Sequence, residues 1–383
     1  MMYSKFRHDE IHIAFNGDEI ERVTDPIIKS KADKVYIFTF YKEWTDPETG
    51  EKKFQVDQNL DKYQEVKKQL EAAGIEVVKN VPKSLQNIQD PMGNYLDGIP
   101  VSYHDYVEIM QKISEIIINE RIKDKNVNIS LNLAVGSKIT AIAGLDCARF
   151  WNINVYYVIP EFWDQRKNMD EPLSSGKMVC ISPPHFEMKR PSNKLIRALK
   201  VINDIFEENK KIINDNYKKI EKITGLELTD NELNTKNVLD YEPLYEQINK
   251  VKEGLSSNQK KIIDQLHQEI IVKLQENQMG VKKSKLLKHL RLAHLVSSNK
   301  YDNIPISSKL AGKELSTFYG AMNKQIIHPL KEWNLIKEND THKNKSIQIT
   351  EYGKLFLKIF KYILIYEDLN NKHINNYKKS NGV

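Results

Sequence analysis

The segment Val127–Phe150 constrains the fold most, because its hydrophobic period changes once, in the middle. Val127, Ile129, Leu131 and Leu133 alternate with polar residues, as in a strand. Gly136-Ser137-Lys138 makes a turn, and Ile139 to Phe150 is an apolar, Ala-rich run with only Thr140, Asp146 and Arg149 strongly polar, as in a helix packed on a sheet. Asn132, Gly136, Ser137 and Lys138 therefore sit where a strand hands over to a helix. Backbone N–H groups, a hydroxyl and a cation converge there, a combination suited to a phosphate or nucleotide.

The same alternation runs through the front of the chain. Ile11–Phe15, Val35–Phe40, Ile75–Val78, Val127–Leu133 and Val155–Pro160 read as strands, with Met178–Ile181 as one more. Glu19–Ser30, Leu60–Ala73 and Tyr103–Arg121 read as helices, the first carrying Pro26, which is expected to bend it. Strands and helices in this order predict an α/β fold with a mostly parallel sheet covered on both faces, its ligands at the carboxyl ends of the strands. Three loops leave such ends: Asn16-Gly17-Asp18, Thr39–Glu43 and Ala134–Lys138. The first strand is followed by NGDEIER without G-x-G-x-x-G, and Gly136-Ser137-Lys138 lacks the upstream Gly of a P-loop, which disfavours an NAD enzyme or a nucleoside triphosphatase. Asp18 beside Glu21 reads as helix-start chemistry rather than a catalytic pair. His12, inside a strand, reads as a structural histidine.

A chain of 383 residues has room for two or three domains. The division expected is a Rossmann-like domain at 1–175, a helical connector at 176–255 and a winged helix-turn-helix at 256–383. In the connector Leu195, Leu199, Ile202, Ile205, Phe206, Ile213, Tyr217 and Ile220 form one helical stripe, which either packs on the front domain or dimerises. Leu226–Leu255 reads as a hinge or small packing element. Cys147 and Cys180 form neither a disulfide framework nor a metal cluster, so no metal, cofactor or catalytic residue is assigned. No apolar run has the length of a membrane span, and Phe6-Arg7-His8-Asp9 leads straight into a strand without a signal peptide, which predicts a cytoplasmic protein with no membrane partner.

Charge separates front from back. Residues 251–383 hold 23 Lys and Arg against 12 Asp and Glu, although the whole chain is only +6. Any nucleic acid therefore meets the back half. There Asn258–Leu274 is an amphipathic helix, Lys282–Arg291 a basic one, and STFYGAMNKQIIHPLKEWNLI a third, with Ser316 as N-cap and Pro329 ending or kinking it. Leu335–Lys337 and Ser346–Thr350 make a hairpin around a basic tip, and Lys354–Tyr366 a final helix. This is the order of a winged helix-turn-helix, a reader of double-stranded DNA. The residues expected at DNA are Lys282, Lys283 and Lys285; Thr317, Tyr319, Asn323 and Lys324 on the recognition helix; and His342, Lys343 and Lys345 on the wing. Asn323 has the chemistry to read adenine, Lys324 to read guanine or meet a phosphate.

Residues 11–40 (IHIAFNGDEIERVTDPIIKSKADKVYIFTF) and 128–138 (NISLNLAVGSK) resemble the CARF (CRISPR-associated Rossmann fold) sensors, and more closely a group of archaeal CARF-like transcriptional regulators fused to winged helices. The family usually has an Asn, a small-residue turn and Gly-Thr-Lys at the second loop. Here Ser137 replaces the Thr, and Ala134-Val135 stands where a further Gly is common. The resemblance implies a homodimeric, ligand-responsive transcriptional regulator that binds DNA and senses a cyclic oligoadenylate. The ligand residues it implies are Asn16, Gly17, Asp18, Thr39, Asn132, Gly136, Ser137 and Lys138. Two alternatives accompany it: a ring nuclease that cleaves its own cyclic oligoadenylate, with Lys138 stabilising developing charge, and a non-enzymatic interaction adaptor.

Overall fold

The computed structural model describes residues 8–163, 174–184, 189–226, 238–298, 304–305, 308, 310–341 and 344–380. The chain forms two compact units, Met1–Arg190 with Lys361–Val383, and Pro191–Phe360.

The first unit is built on β1 (Glu10–Phe15), β2 (Lys34–Thr45), β3 (Lys52–Val56), β4 (Glu76–Val78), β5 (Ile99–Val101), β6 (Asn128–Asn132), β7 (Asn154–Trp163) and β8 (Ser174–Ile181). The sheet order is β3-β2-β1-β6-β7-β8, with β4 and β5 both pairing along β2. β1 lies between β2 and β6, parallel to both, with Ile13 opposite Tyr36 and Leu131. Helices α1 (Ile20–Lys29), α2 (Leu60–Ala72), α3 (Tyr106–Lys123) and α4 (Lys138–Trp151) alternate with these strands. Val23, Ile27, Tyr63, Val66 and Leu70 of α1 and α2 pack on Ala14, Val35, Ile37 and Val77, in-facing sheet positions. From β1 the chain goes first to β2, and later to β6 on the other side. The gap between the ends of β1 and β6 is therefore the topological switch point, where open α/β sheets bind ligands.

Several sequence expectations are corrected. Thr39–Glu43 is not a loop: β2 continues to Thr45, and Tyr41–Thr45 pair antiparallel with β3. The hairpin escapes a hydrophobic pattern because Glu43, Trp44, Phe54 and Gln55 are all exposed. β5 was hidden by Pro100 and its length of three residues. α3 starts at Tyr106, because Asp105 caps it by accepting from Val107 and Glu108 N–H.

Pro26 does lie inside α1. It has no N–H for the carbonyl of Arg22, four residues back. The Asn132 amide fills that place, donating to Arg22 O at 2.9 Å from the neighbouring strand.

The second unit contains α5 (Asn193–Thr224), α6 (Val238–Lys252), α7 (Ser257–Met279), β9 (Val281–Lys282), α8 (Lys283–Leu292), α9 (Gly312–Met322), α10 (His328–Glu332), β10 (Ile336–Thr341) and β11 (Asn344–Ile349). α11 (Glu351–Ser380) begins in it. Part of the stripe on α5 packs within this unit, which neither reading from the sequence foresaw. Its half at Ile213, Tyr217 and Ile220 closes a core with Tyr241, Leu244 and Ile248 of α6 and Ile263, Leu266, Ile270 and Leu274 of α7. Pairing β10-β11-β9 completes a winged helix; β9, too short for any sequence pattern, pairs Val281 with Ile347.

The third helix begins at Gly312, so Ser316 lies inside it rather than capping it. Nor does Pro329 end it: a π-turn at Asn323–Ile327 leads into α10, with His328 N–H bonded to Asn323 O. Slipping the hydrogen bonds to wider spacing accommodates a proline that cannot donate.

Candidate functional site

The loops after β1, β5 and β6, with the segment leading into α2, enclose a cleft of about 460 Å³ at the switch point. Asn16, Gly17, Asp18, Gly136 and Ser137 of the expected site line it. The two loops touch closely at Gly17, and Gly136 is needed for the turn into α4 itself. A Cβ on Gly17 would lie 2.3 Å from Val135 Cγ1, and one on Gly136, whose φ is +104°, would lie 2.6 Å from Thr140 Oγ1.

Asn16 forms the floor. Its Nδ2 donates to Asp57 Oδ2 at 3.0 Å and to Asn59 O at 2.8 Å, both acceptors, which fixes the amide orientation. Its Oδ1 is buried and finds no donor among the described residues. A buried acceptor without a partner costs free energy unless a ligand or water supplies the donor. Ser137 caps α4: its Oγ accepts from Thr140 N–H at 3.1 Å and donates to Tyr103 O at 2.8 Å. The Tyr103 phenol donates to Phe38 O at 2.7 Å, with Asn16 O at 3.1 Å, and so ties the β5–α3 loop to the ends of β1 and β2. Burial holds this phenol well above the usual tyrosine range.

Three expected ligand residues lie outside the lining. Thr39 is fully buried and donates to Asp97 O at 2.7 Å. Asn132 spends its amide on Arg22 O, and its Oδ1 accepts from Ala134 N–H at 2.9 Å. Lys138 is exposed at the first turn of α4. Arg22 and His104 are among the lining residues that the sequence did not indicate. The buried Arg22 donates through Nε and Nη2 to Val158 O, at 3.2 and 3.0 Å, with its guanidinium over the rings of Tyr157 and Trp163. His104 reaches the rim from the β5–α3 loop and packs edge-on against Phe40. The Asp105 cap, with Glu108 three residues on, was the available signal that residues 102–105 are a strand-end loop. Asp18, Glu19 and Asp57 also line the cleft, and their carboxylates suit the amino and hydroxyl donors of a ligand.

In the winged helix the expected DNA residues separate into two sets. Lys283 is half-buried and ion-paired to Glu338 at 2.5 Å, while also donating to Asn323 Oδ1 at 3.2 Å. Lys331 reaches the same carboxylate at 2.7 Å, and Lys285 pairs with Glu276 at 3.1 Å. Lys283 takes one lone pair of Oδ1, so the bidentate reading of adenine expected from the sequence would use the second lone pair and an Nδ2 proton. Lys282, Thr317 and Lys324 are exposed and Tyr319 is half-exposed; the Thr317 hydroxyl donates to Lys313 O at 2.8 Å. His342 and Lys343 lie outside the described residues, as does the side chain of Lys345.

Burial raises the Glu338 carboxyl, but the lysine bonds outweigh it and hold the group at about 2, below its ordinary 4.5. A depressed carboxylate contributes stability above its unfolded value and loses it as pH falls through the folded one. The winged helix is thus expected to weaken between about pH 4.5 and pH 2. Acid titration followed by circular dichroism should show part of that dependence gone in Glu338→Gln; identical titrations would refute the assignment.

The fold and site define an α/β Rossmann-like domain with a cleft at its switch point, carried on the same chain as a winged helix. Residues 10–162 match the family model described as "HFX_2341_N:-like, N-terminal", and residues 267–361 match the DUF6293 C-terminal winged helix domain. The pairing is the one that the sequence resemblance implies. The uncharacterized protein MJ1513 of Methanocaldococcus jannaschii is 28% identical over 156 residues, which are 39% of this chain and 38% of that protein. The chain thus aligns with well under half of that relative's length. Among solved structures, Can2 from Sulfobacillus thermosulfidooxidans, in complex with cyclic tetra-adenylate, is 13% identical with a TM-score of 0.28, covering 93% of this chain and 65% of that one. Enterococcus italicus Csm6, bound to cyclic hexa-2′-fluoro-hexa-dAMP, is 13% identical with a TM-score of 0.29, covering 95% and 80%. Protein VC1899 from Vibrio cholerae is 11% identical with a TM-score of 0.27, covering 70% and 69%. No helix among the described residues is long and apolar enough to cross a membrane.

Proposed function

We propose that the chain is a homodimeric, ligand-responsive transcriptional regulator, whose winged helix binds double-stranded DNA and whose cleft binds a nucleotide of the cyclic oligoadenylate type. The observation that carries the reading is the winged-helix domain on the same chain as a switch-point cleft. The buried Asn16 Oδ1 supports a ligand with N–H or O–H donors, such as an adenine amino group or a ribose hydroxyl. Arg22 and the first turn of α4 supply the positive side for phosphate. Ile139 and Ile142 of α4 are exposed apolar residues beside the cleft, a surface for a second copy. A dimer would present two recognition helices to a palindrome, with half-sites about 34 Å apart or a multiple of that.

Operator affinity, measured with and without a panel of cyclic and linear nucleotides at fixed salt, tests the whole reading. Nucleotide binding and DNA binding are expected to change one another by the same factor, since coupling is reciprocal. Nucleotide binding that leaves DNA affinity unchanged would reject the coupling.

His104 favours a second reading, the ring nuclease. An imidazole at the rim offers a general base that takes the proton of a ribose 2′-hydroxyl as its oxygen attacks the adjacent phosphate; the bond to the next nucleotide's 5′-oxygen breaks, leaving a 2′,3′-cyclic phosphate and a 5′-hydroxyl. Under that reading labelled cyclic oligoadenylate is converted to linear product, and His104→Ala lowers the rate at least about a hundredfold. Intact ligand after long incubation would leave the sensor.

A further inference from the structure

The first unit has a second cavity, of about 530 Å³, at the opposite, amino-terminal end of the strands. It lies on the sheet face that α1 covers, beside Pro26 and Ser30 near the end of that helix. In-facing positions of a covered sheet normally carry Val, Ile or Leu. Here they carry Glu10 and His12 of β1, Ser130 of β6, Asn154 and Tyr156 of β7 and Cys180 of β8. The register sets His12 beside Ser130 and Ser130 beside Asn154, so a polar row crosses three neighbouring strands.

The direction of each hydrogen bond decides what that row presents. Ser30 Oγ donates its one proton to Ile27 O at 2.8 Å, so it accepts from His12 Nε2 at 2.9 Å. In the neutral ring Nδ1 is then the acceptor, and the Tyr156 phenol donates to it at 2.8 Å. Ser130 Oγ donates to Glu10 Oε1 at 3.3 Å. The donors of these four side chains are thus consumed inside the network. Glu10 and Ser130 keep acceptor capacity among the lining residues, beside Tyr156; Glu10 Oε1 also lies 3.6 Å from His12 Nε2, and its second oxygen has no part in the network. Neither Lys nor Arg is among the lining residues, and Lys29, the cation acting on Cys180, is paired with Asp25 at 2.6 Å.

We propose that this cavity is a second ligand site, distinct from the switch-point cleft, for a small organic cation bearing several N–H donors, with Glu10 as counter-ion. A diamine or a guanidinium fits that chemistry; a phosphate or carboxylate would meet the Glu10 carboxylate with no Lys or Arg in the lining to offset it.

The protein carries its own reporter. Cys180 is exposed and lines the cavity, whereas the other cysteine, Cys147, is buried. Alkylation of Cys180 by N-ethylmaleimide is followed in the full chain with 1,4-diaminobutane, agmatine or, as the neutral isostere, 1,4-butanediol, at constant ionic strength. The diamine or agmatine is expected to slow alkylation at least threefold in a saturable manner, and butanediol to leave it unchanged. Protection is expected to vanish in Glu10→Gln and to need higher diamine concentration in Ser130→Ala, with circular dichroism checking that both variants fold. No protection by either cation at tens of millimolar would overturn the proposal. So would equal protection by butanediol, or undiminished protection in folded Glu10→Gln.

Discussion

Asn132→Ala is expected to destabilise the first unit by about 2–4 kcal/mol, because it strands two backbone groups at once. One is the Ala134 N–H, which loses its acceptor at 2.9 Å. The other is the Arg22 carbonyl, left without a helical donor by Pro26 and served by the Asn132 amide instead. Thermal unfolding should fall by roughly 5–15 °C for a unit of this size. The cause is separable by a double-mutant cycle. Pro26→Ala restores an N–H that can reach Arg22 O, so in that background Asn132→Ala should cost about 1 kcal/mol less. Strictly additive changes would mean that the asparagine does not act through the carbonyl. The cycle also separates a framework role from the ligand role that the resemblance implies, since it needs no nucleotide.

Replacing Lys282 and Lys324 together by alanine is expected to have the largest effect on DNA binding. Both are exposed, whereas Lys283 and Lys285 hold carboxylates at 2.5 and 3.1 Å. A lysine that neutralises a phosphate releases a counterion, so each one removed should lower the salt slope of the affinity by about one. The double variant should lose about two units of slope, and the loss of affinity should be about tenfold larger at 50 mM salt than at 200 mM. Lys285→Ala should shift the slope by less than about half a unit, because its charge is already balanced by Glu276. Lys283→Ala should act mainly on stability, by leaving Glu338 with Lys331 alone. A titration across salt in which Lys285→Ala changes the slope as much as Lys324→Ala would reject this division.

The strand ends show why sequence alone located only part of the candidate site. Asn16-Gly17-Asp18 and Gly136-Ser137 were legible because each is a local break in a strong pattern. Thr39 and Asn132 were placed on the same logic, at or near strand ends, but their polar atoms are taken by Asp97 O, Arg22 O and Ala134 N–H. Arg22 and His104 entered the lining through contacts far apart in sequence, to Val158 O and the Phe40 ring.

By itself the sequence determined the alternation of strand and helix, the basic winged-helix order and the turn at Gly136, since period, charge and backbone freedom are written locally. Tertiary structure decided the rest. The π-turn before Pro329, the burial of Ile213, Tyr217 and Ile220 of α5 against α6 and α7, and the pairing of Lys283 with Glu338 depend on residues brought together by packing. A lysine's charge can be read from the sequence, but whether it is free to meet a phosphate depends on which carboxylate the fold sets beside it.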